Sequence, residues 1–298
     1  MGLKVLLAAA ALTFSNTAFA WGVELSEDKM VAFELPVAPA TSLQQLRQDT
    51  SIRNLPQGTL AGRLRVPEAD RKLPAVVVVH TCHGEKAYEP WLGRLNSWGY
   101  ATLSFSRCQP PDHSPDDAHY PSLDWKRGAL AALGALRHLA QRDDIDATSI
   151  AIMGWSRLGM VPLSVLNPEG FYQFFPEKFA AAVALYPFCS FARGPHAGPI
   201  LVISAAQDDY VDAAVCERMA GETSQDDFPV RSALISNAYH GFDLELFGAV
   251  HFASRDEINP DGFAAGGGSL GYDKAGQQTA IALVRAFLQE HVPSQKVE

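Results

Sequence analysis

Apolar positions in this chain come in short unbroken runs, separated by turns and by longer stretches with helical spacing. Residues 58–66 alternate apolar and polar, the pattern of an outer antiparallel strand with one face in water. Residues 74–80 are apolar almost throughout and rich in valine, so they should be buried on both faces of a parallel sheet. A helix is predicted over 88–97 and a second central strand over 100–106. A long helix follows over 123–140, with alanine and leucine at helical spacing and Ser122 or Asp124 as its N-cap. Further strands are predicted at 149–154, 180–186, 199–204 and 230–236, with helices starting at Arg157 and spanning 211–223 and 272–291. Strands alternating with helices predict an α/β fold, a mostly parallel sheet with helices on both faces. Active-site residues in such a sheet gather at the C-terminal ends of the strands.

The first twenty residues stand apart. Lys4, the apolar stretch from Val5 to Leu12, and Ala18-Phe19-Ala20 read as a secretory signal peptide cleaved after Ala20. Residues 21–298 are then expected to be a single exported domain, periplasmic or secreted, with no membrane span. No repeat or linker divides that stretch, and Gly266-Gly267-Gly268-Ser269 reads as a flexible surface loop. Acidic residues outnumber basic ones by 33 to 24, which argues against nucleic acid or an anionic membrane as partner.

Four cysteines, Cys82, Cys108, Cys189 and Cys216, all lie beyond the leader. In an exported chain they are candidates for two disulfides, with three pairings open. The coarse fold favours Cys82–Cys108 and Cys189–Cys216, provided each pair of Cα atoms lies within about 4.4–6.8 Å; four buried thiols are the alternative. His80, Cys82 and His83 lack a second cluster to complete a zinc site, so no metal or cofactor is expected.

The chemistry centres on Gly154-Trp155-Ser156-Arg157-Leu158-Gly159, an apolar strand turning into a helix at a serine. Such a turn lifts the hydroxyl out of the sheet and aims the following N–H groups at whatever it attacks. Asp208 and His240 come later, each at the end of its own apolar run, and the order Ser…Asp…His is that of α/β-hydrolases. Ser156 is therefore the candidate nucleophile, His240 its general base among nine histidines, and Asp208 the residue that orients the imidazole. His251 is the second choice for base; Asp209 is adjacent to the acid, and Asp209 or Asp212 would serve as helix cap. The backbone N–H groups of Arg157 and Cys82 are the expected oxyanion donors.

The motifs His80-Thr81-Cys82-His83-Gly84, Gly154-Trp155-Ser156-Arg157, Tyr186-Pro187-Phe188-Cys189, Gln207-Asp208-Asp209-Tyr210 and Tyr239-His240-Gly241-Phe242-Asp243 together resemble the dienelactone hydrolase family, in a secreted branch. The resemblance runs from about residue 60 to 288. It implies an α/β-hydrolase fold, a triad of Ser156, Asp208 and His240, and hydrolysis of small esters or lactones without a cofactor. Founding members of the family use cysteine as nucleophile, so serine here implies broader esterase chemistry. Two positions depart from the pattern: Thr81 stands where the oxyanion loop usually has glycine, and Leu158 replaces the second glycine of the nucleophile turn.

Phe171, Tyr172, Phe174 and Phe175 read either as core packing or as a pocket wall. Arg107 and Arg157 read as surface ion-pair partners or as ligands for a substrate carboxylate. Two rival functions share these residues. One is a peptidase or acyltransferase with the same triad; the other is a hydrolase fold kept as a binding module, its chemistry weakened at Thr81 and Leu158.

Overall fold

A computed structural model describes residues 22–36, 58–81, 85–106, 125–191, 194–254 and 266–294. The leader, Cys82, His83, Arg107, Cys108 and the expected cap at Ser122 or Asp124 lie outside the described residues. In chain order the elements are β1 (Leu25–Glu34), β2 (Thr59–Pro67), β3 (Leu73–His80), α1 (Glu85–Ser97), β4 (Ala101–Ser106), α2 (Trp125–Ala140) and β5 (Ile145–Trp155). A 3₁₀ turn at Ser156–Gly159 leads into α3 (Met160–Val165), followed by β6 (Ala181–Leu185), β7 (Ile200–Ala205), α4 (Ala213–Glu222) and β8 (Val230–Ile235). Two short strands, β9 (His251–Ala253) and β10 (Gly268–Leu270), precede α5 (Lys274–His291).

Strands β1 to β8 form one sheet in the order β1-β2-β4-β3-β5-β6-β7-β8. β1 and β2 are antiparallel to their neighbours, and the remaining strands are parallel. β3 is buried at every position because it serves both faces. Ala75, Val77 and Val79 enter one core with α2 and α3, while Val76 and Val78 enter the other with α1 and α5. A strand's period of two thus turns one valine run into the meeting line of two cores. This is the α/β-hydrolase fold, with β5 near the middle of the sheet.

Two expectations are corrected here, the surface loop at the glycines and the helix start at Arg157, and one open alternative is decided. The aromatic connection before β6 is core: Phe171, Phe175 and Phe179 are buried in the cluster that holds α2 and α3. Tyr172 is half-buried and carries the Lys178 ammonium on its ring. The glycine-rich segment ends as a strand, because β10 pairs antiparallel with β9 and Ser269 donates both its N–H and its hydroxyl to Asp209. The helix foreseen at Arg157 begins as a tight 3₁₀ turn, and the α-helix starts only at Met160.

β1 was not foreseen. The charged run Glu27-Asp28-Lys29 interrupts its apolar positions, and only Phe33 within it is fully buried. Arg63 on β2 forks the carboxylate of Asp28 at 2.6 and 2.8 Å, and Arg65 forks Glu89 of α1. These pairs fasten the outer strands where apolar area is small.

Candidate active site

β5 ends at Trp155, and the next residue, Ser156, takes φ +53°, a left-handed conformation that costs a non-glycine residue energy. Strain of this kind is the signature of a nucleophile elbow, which sets the side chain proud of the sheet. Gly154 makes the turn possible: a Cβ there would sit 2.6 Å from the Leu158 carbonyl oxygen. Ser156 itself remains half-exposed.

Asp208 follows β7 in a turn stitched to the segment after β8, with Ala206 N–H donating to Ile235 O and Gln207 N–H to Ala238 O. One carboxylate oxygen, Oδ1, accepts the backbone N–H groups of Tyr210 (3.0 Å) and Val211 (2.8 Å). That leaves Oδ2 aimed at His240. Asp212, not Asp208, caps α4, accepting from Ala214 N–H.

His240 lies between two residues of positive φ nearby, Asn237 (+60°) and Gly241 (+74°), so the chain reverses sharply around it. A bridge to Leu270 and a bond from Gly271 N–H to its carbonyl hold the turn from the β10 side. From α5, Gln277 Nε2 donates to the Asp243 carbonyl, and Asp273 N–H donates to Phe242 O.

These three turns meet. Ser156 Oγ–H donates to His240 Nε2 at 2.8 Å, and His240 Nδ1–H donates to Asp208 Oδ2 at 2.8 Å. The tautomer follows from the network, since a carboxylate that already accepts two amides demands a proton on Nδ1. Both buried partners are almost without solvent, the His240 side chain 4% and the Asp208 side chain 2% exposed. The imidazole is boxed edge-to-face by Tyr186 at 4.6 Å and Tyr210 at 5.2 Å between ring centroids. His251 lies elsewhere, on exposed β9, bonded to Ala249 O.

A hydroxyl, a base and an orienting acid in line are the parts of acyl transfer. The family model described as the dienelactone hydrolase family matches residues 60–292, most of the chain.

The chain belongs to the dienelactone hydrolase family. It stands among the carboxylic-ester hydrolases by that membership. No curated protein matches it. Among solved structures it is similar to a dienelactone hydrolase-like promiscuous phosphotriesterase from metagenomic libraries, with TM-score 0.59, 18% identity, and coverage of 88% of this chain and 98% of that one. It is also similar to a thermophilic esterase of the planctomycete Thermogutta terrifontis, with TM-score 0.57, 13% identity, and coverage of 80% and 89%. At such identities the likeness is one of fold.

Within this dienelactone hydrolase family member, both departures from the family pattern have a place in the packing. Leu158 is wholly buried in the core that includes α2 and α3, so its side chain leaves the turn rather than obstructing it. Thr81 shares a 2.7 Å hydrogen bond with the Tyr88 hydroxyl, and His80 stacks on the Tyr88 ring while donating from Nδ1 to Thr81 O. Burial raises the Tyr88 hydroxyl pKa, so Tyr88 keeps its proton. Thr81, at the start of the expected oxyanion loop, is therefore braced from α1 by a side chain that glycine does not have. Cys82, the second expected oxyanion donor, lies outside the described residues, and Arg157 is buried at 8% exposure.

Cys189 and Cys216 form a disulfide with Cα atoms 5.1 Å apart, joining the turn after β6 to α4. The other expected pair, Cys82–Cys108, lies outside the described residues. Among the described residues no three His, Cys, Asp or Glu side chains are grouped to hold a metal, and no helix is long and apolar enough to cross a membrane.

One buried group at the site was missed. Asp243 closes the Tyr239–Asp243 motif, yet its partners are Trp91, Trp155 and Tyr186, far away in sequence. Two indoles and a phenol around an acid carry no spacing that a linear reading can detect.

Proposed function

We propose that this chain is an exported serine hydrolase that cleaves small carboxylic esters or lactones through an acyl-serine intermediate. The observation that carries the reading is the continuous hydrogen-bonded line Ser156–His240–Asp208 at the sheet's C-terminal rim. In the first half-reaction Ser156 Oγ attacks the carbonyl carbon while His240 Nε2 takes its proton. Asp208 stays ionised and stabilises the imidazolium through Nδ1–H. The tetrahedral oxyanion is received by the backbone N–H of Arg157 and, in this reading, of Cys82. Collapse expels the alkoxide, which leaves as alcohol with the proton from His240. For a lactone the alcohol stays tethered to the acyl group. Water then enters, His240 removes its proton, and the free acid departs as Ser156 is regenerated.

The leader-like residues 1–20 and the Cys189–Cys216 bridge both support export, because disulfides persist in oxidising compartments. Amino-terminal sequencing of the secreted protein is expected to begin at Trp21. Similar structures include a promiscuous phosphotriesterase and a Thermogutta terrifontis esterase phosphorylated by the organophosphate paraoxon. A fluorophosphonate is accordingly expected to label Ser156.

Ser156→Ala should abolish turnover of p-nitrophenyl acetate and lose the label, with unchanged far-ultraviolet circular dichroism. Turnover at the wild-type rate in that variant discards the nucleophile. Folded wild-type protein that takes no label and cleaves no ester of a graded series favours a binding module instead.

A further inference from the structure

Asp243 is only 1% exposed and takes no part in the proton relay. Its Oδ2 accepts the indole N–H of Trp91 at 2.7 Å and of Trp155 at 2.8 Å, and its Oδ1 accepts the Tyr186 hydroxyl at 2.6 Å. An indole N–H can only donate, so Oδ2 must be an acceptor twice over. Burial raises the Tyr186 hydroxyl pKa well above its ordinary value, which keeps the phenol a donor as well. Burial raises the Asp243 carboxyl pKa, and the three hydrogen bonds offset only part of that rise. An ionised carboxylate satisfies every donor; a protonated one leaves the phenol proton to find another acceptor.

The three donors are not arbitrary core residues. Trp155 immediately precedes the nucleophile, whose backbone is held at φ +53°. Tyr186 directly follows β6, is itself at φ +38°, and lays its ring against the His240 imidazole. Strained residues persist only where their surroundings over-determine them. Asp243 sits on the same turn as His240, so a single carboxylate ties the nucleophile's neighbour and the base's neighbour to the base's own loop. Tyr88 and Arg94 also lie within its electrostatic reach, and Asp208 and Asp209 are the further acids beside His240.

We propose that Asp243 is a positioning residue for the reaction: its ionised carboxylate holds Trp155 and Tyr186 so that Ser156 and His240 stay aligned, and its charge favours the imidazolium formed during attack. This rests on the reading of Ser156 and His240 as nucleophile and base.

Asp243→Asn separates charge from shape. The amide oxygen can accept both indoles and the amide nitrogen can donate to the Tyr186 oxygen, so the contacts survive while the charge goes. On p-nitrophenyl acetate, kcat should fall by about tenfold, because the imidazolium formed during attack loses a nearby negative charge, with KM within about twofold. The acid limb of the kcat/KM profile should move to lower pH, because losing a nearby negative charge disfavours the imidazolium. Tyr186→Phe keeps the ring on His240 and cuts only the tether, so it should lower kcat by a smaller factor, with native near-ultraviolet circular dichroism. That variant decides the matter if Asp243→Asn does not fold: a lowered kcat supports the tether and an unchanged one overturns it. Wild-type kcat and an unmoved acid limb in folded Asp243→Asn overturn the proposal, as does a loss of rate matched by loss of folded protein with the limb unmoved. Wild-type protein that neither turns over ester nor takes the fluorophosphonate overturns the underlying reading and this proposal with it.

Discussion

Replacing both Cys189 and Cys216 by alanine removes a bridge that spans 27 positions of sequence. The chain-entropy relation for a closed loop of that length gives about 3.5 kcal/mol at 25 °C, gained by restricting the unfolded chain. Both sulfurs are buried, so the substitution adds no exposed polar group, and the small voids it leaves act in the same direction. Urea melts of the double variant and the wild type, followed by tryptophan fluorescence without reductant, measure the difference. With an m-value of about 3 kcal/mol per M, the midpoint should fall by about 1 M. The m-value itself should rise, since the uncrosslinked unfolded chain exposes more surface. Because the stabilisation resides in the unfolded state, kcat/KM of the folded variant in buffer should stay within about twofold of wild type. An unchanged midpoint refutes the entropic argument. A lowered kcat/KM shows instead that the bridge braces the acid turn in the folded protein.

Three further outcomes are expected. Leu158→Gly restores the residue usual at that turn yet empties a fully buried site, so it should cost about 3–5 kcal/mol; a thermal melt within a degree of wild type contradicts this. At Gly241 the backbone has φ +74°, and a Cβ would lie 2.5 Å from the Phe247 ring. Gly241→Ala should therefore displace the neighbouring His240 and lower kcat/KM by about tenfold to a hundredfold, and a full-rate variant would count against the turn's role. Hydrogen bonds from Arg142 hold the Asp144 carboxyl below the usual carboxylate range, with burial opposing them. Its folded pKa thus lies below its unfolded value of about 3.9, so the pair's stabilisation is present above that pH and is lost as pH falls through the folded value. Asp144→Asn should flatten the acid side of the stability–pH curve there, and a curve of unaltered slope dismisses the linkage.

The central strands were legible because β3 and its neighbours are buried on both faces, so their apolar runs are unbroken. Ser156 could be singled out for the same reason, since it ends such a run; Asp208 and His240 lie a few residues beyond β7 and β8 and were picked by their order in the chain. β1 escaped because a charge-fastened outer strand has little apolar signal. β9 and β10 escaped because three residues apiece are too few for any period to show. Leu158 was read as a departure bearing on the chemistry of the turn because sequence gives the residue but not its direction, and the direction is into the core. Asp243 stayed hidden because its donors lie 57, 88 and 152 residues away. Only the closed sheet brings them together.

The groups proposed to react are delivered in strict chain order by β5, β7 and the turn beyond β8, and that turn is then fastened by α5. A nascent polypeptide still on the ribosome, or a fragment clipped ahead of residue 240, carries the hydroxyl without anything to deprotonate it. On the proposed mechanism catalytic power therefore waits for residue 240, and a product cut before it stays inert however well its amino-terminal strands have folded.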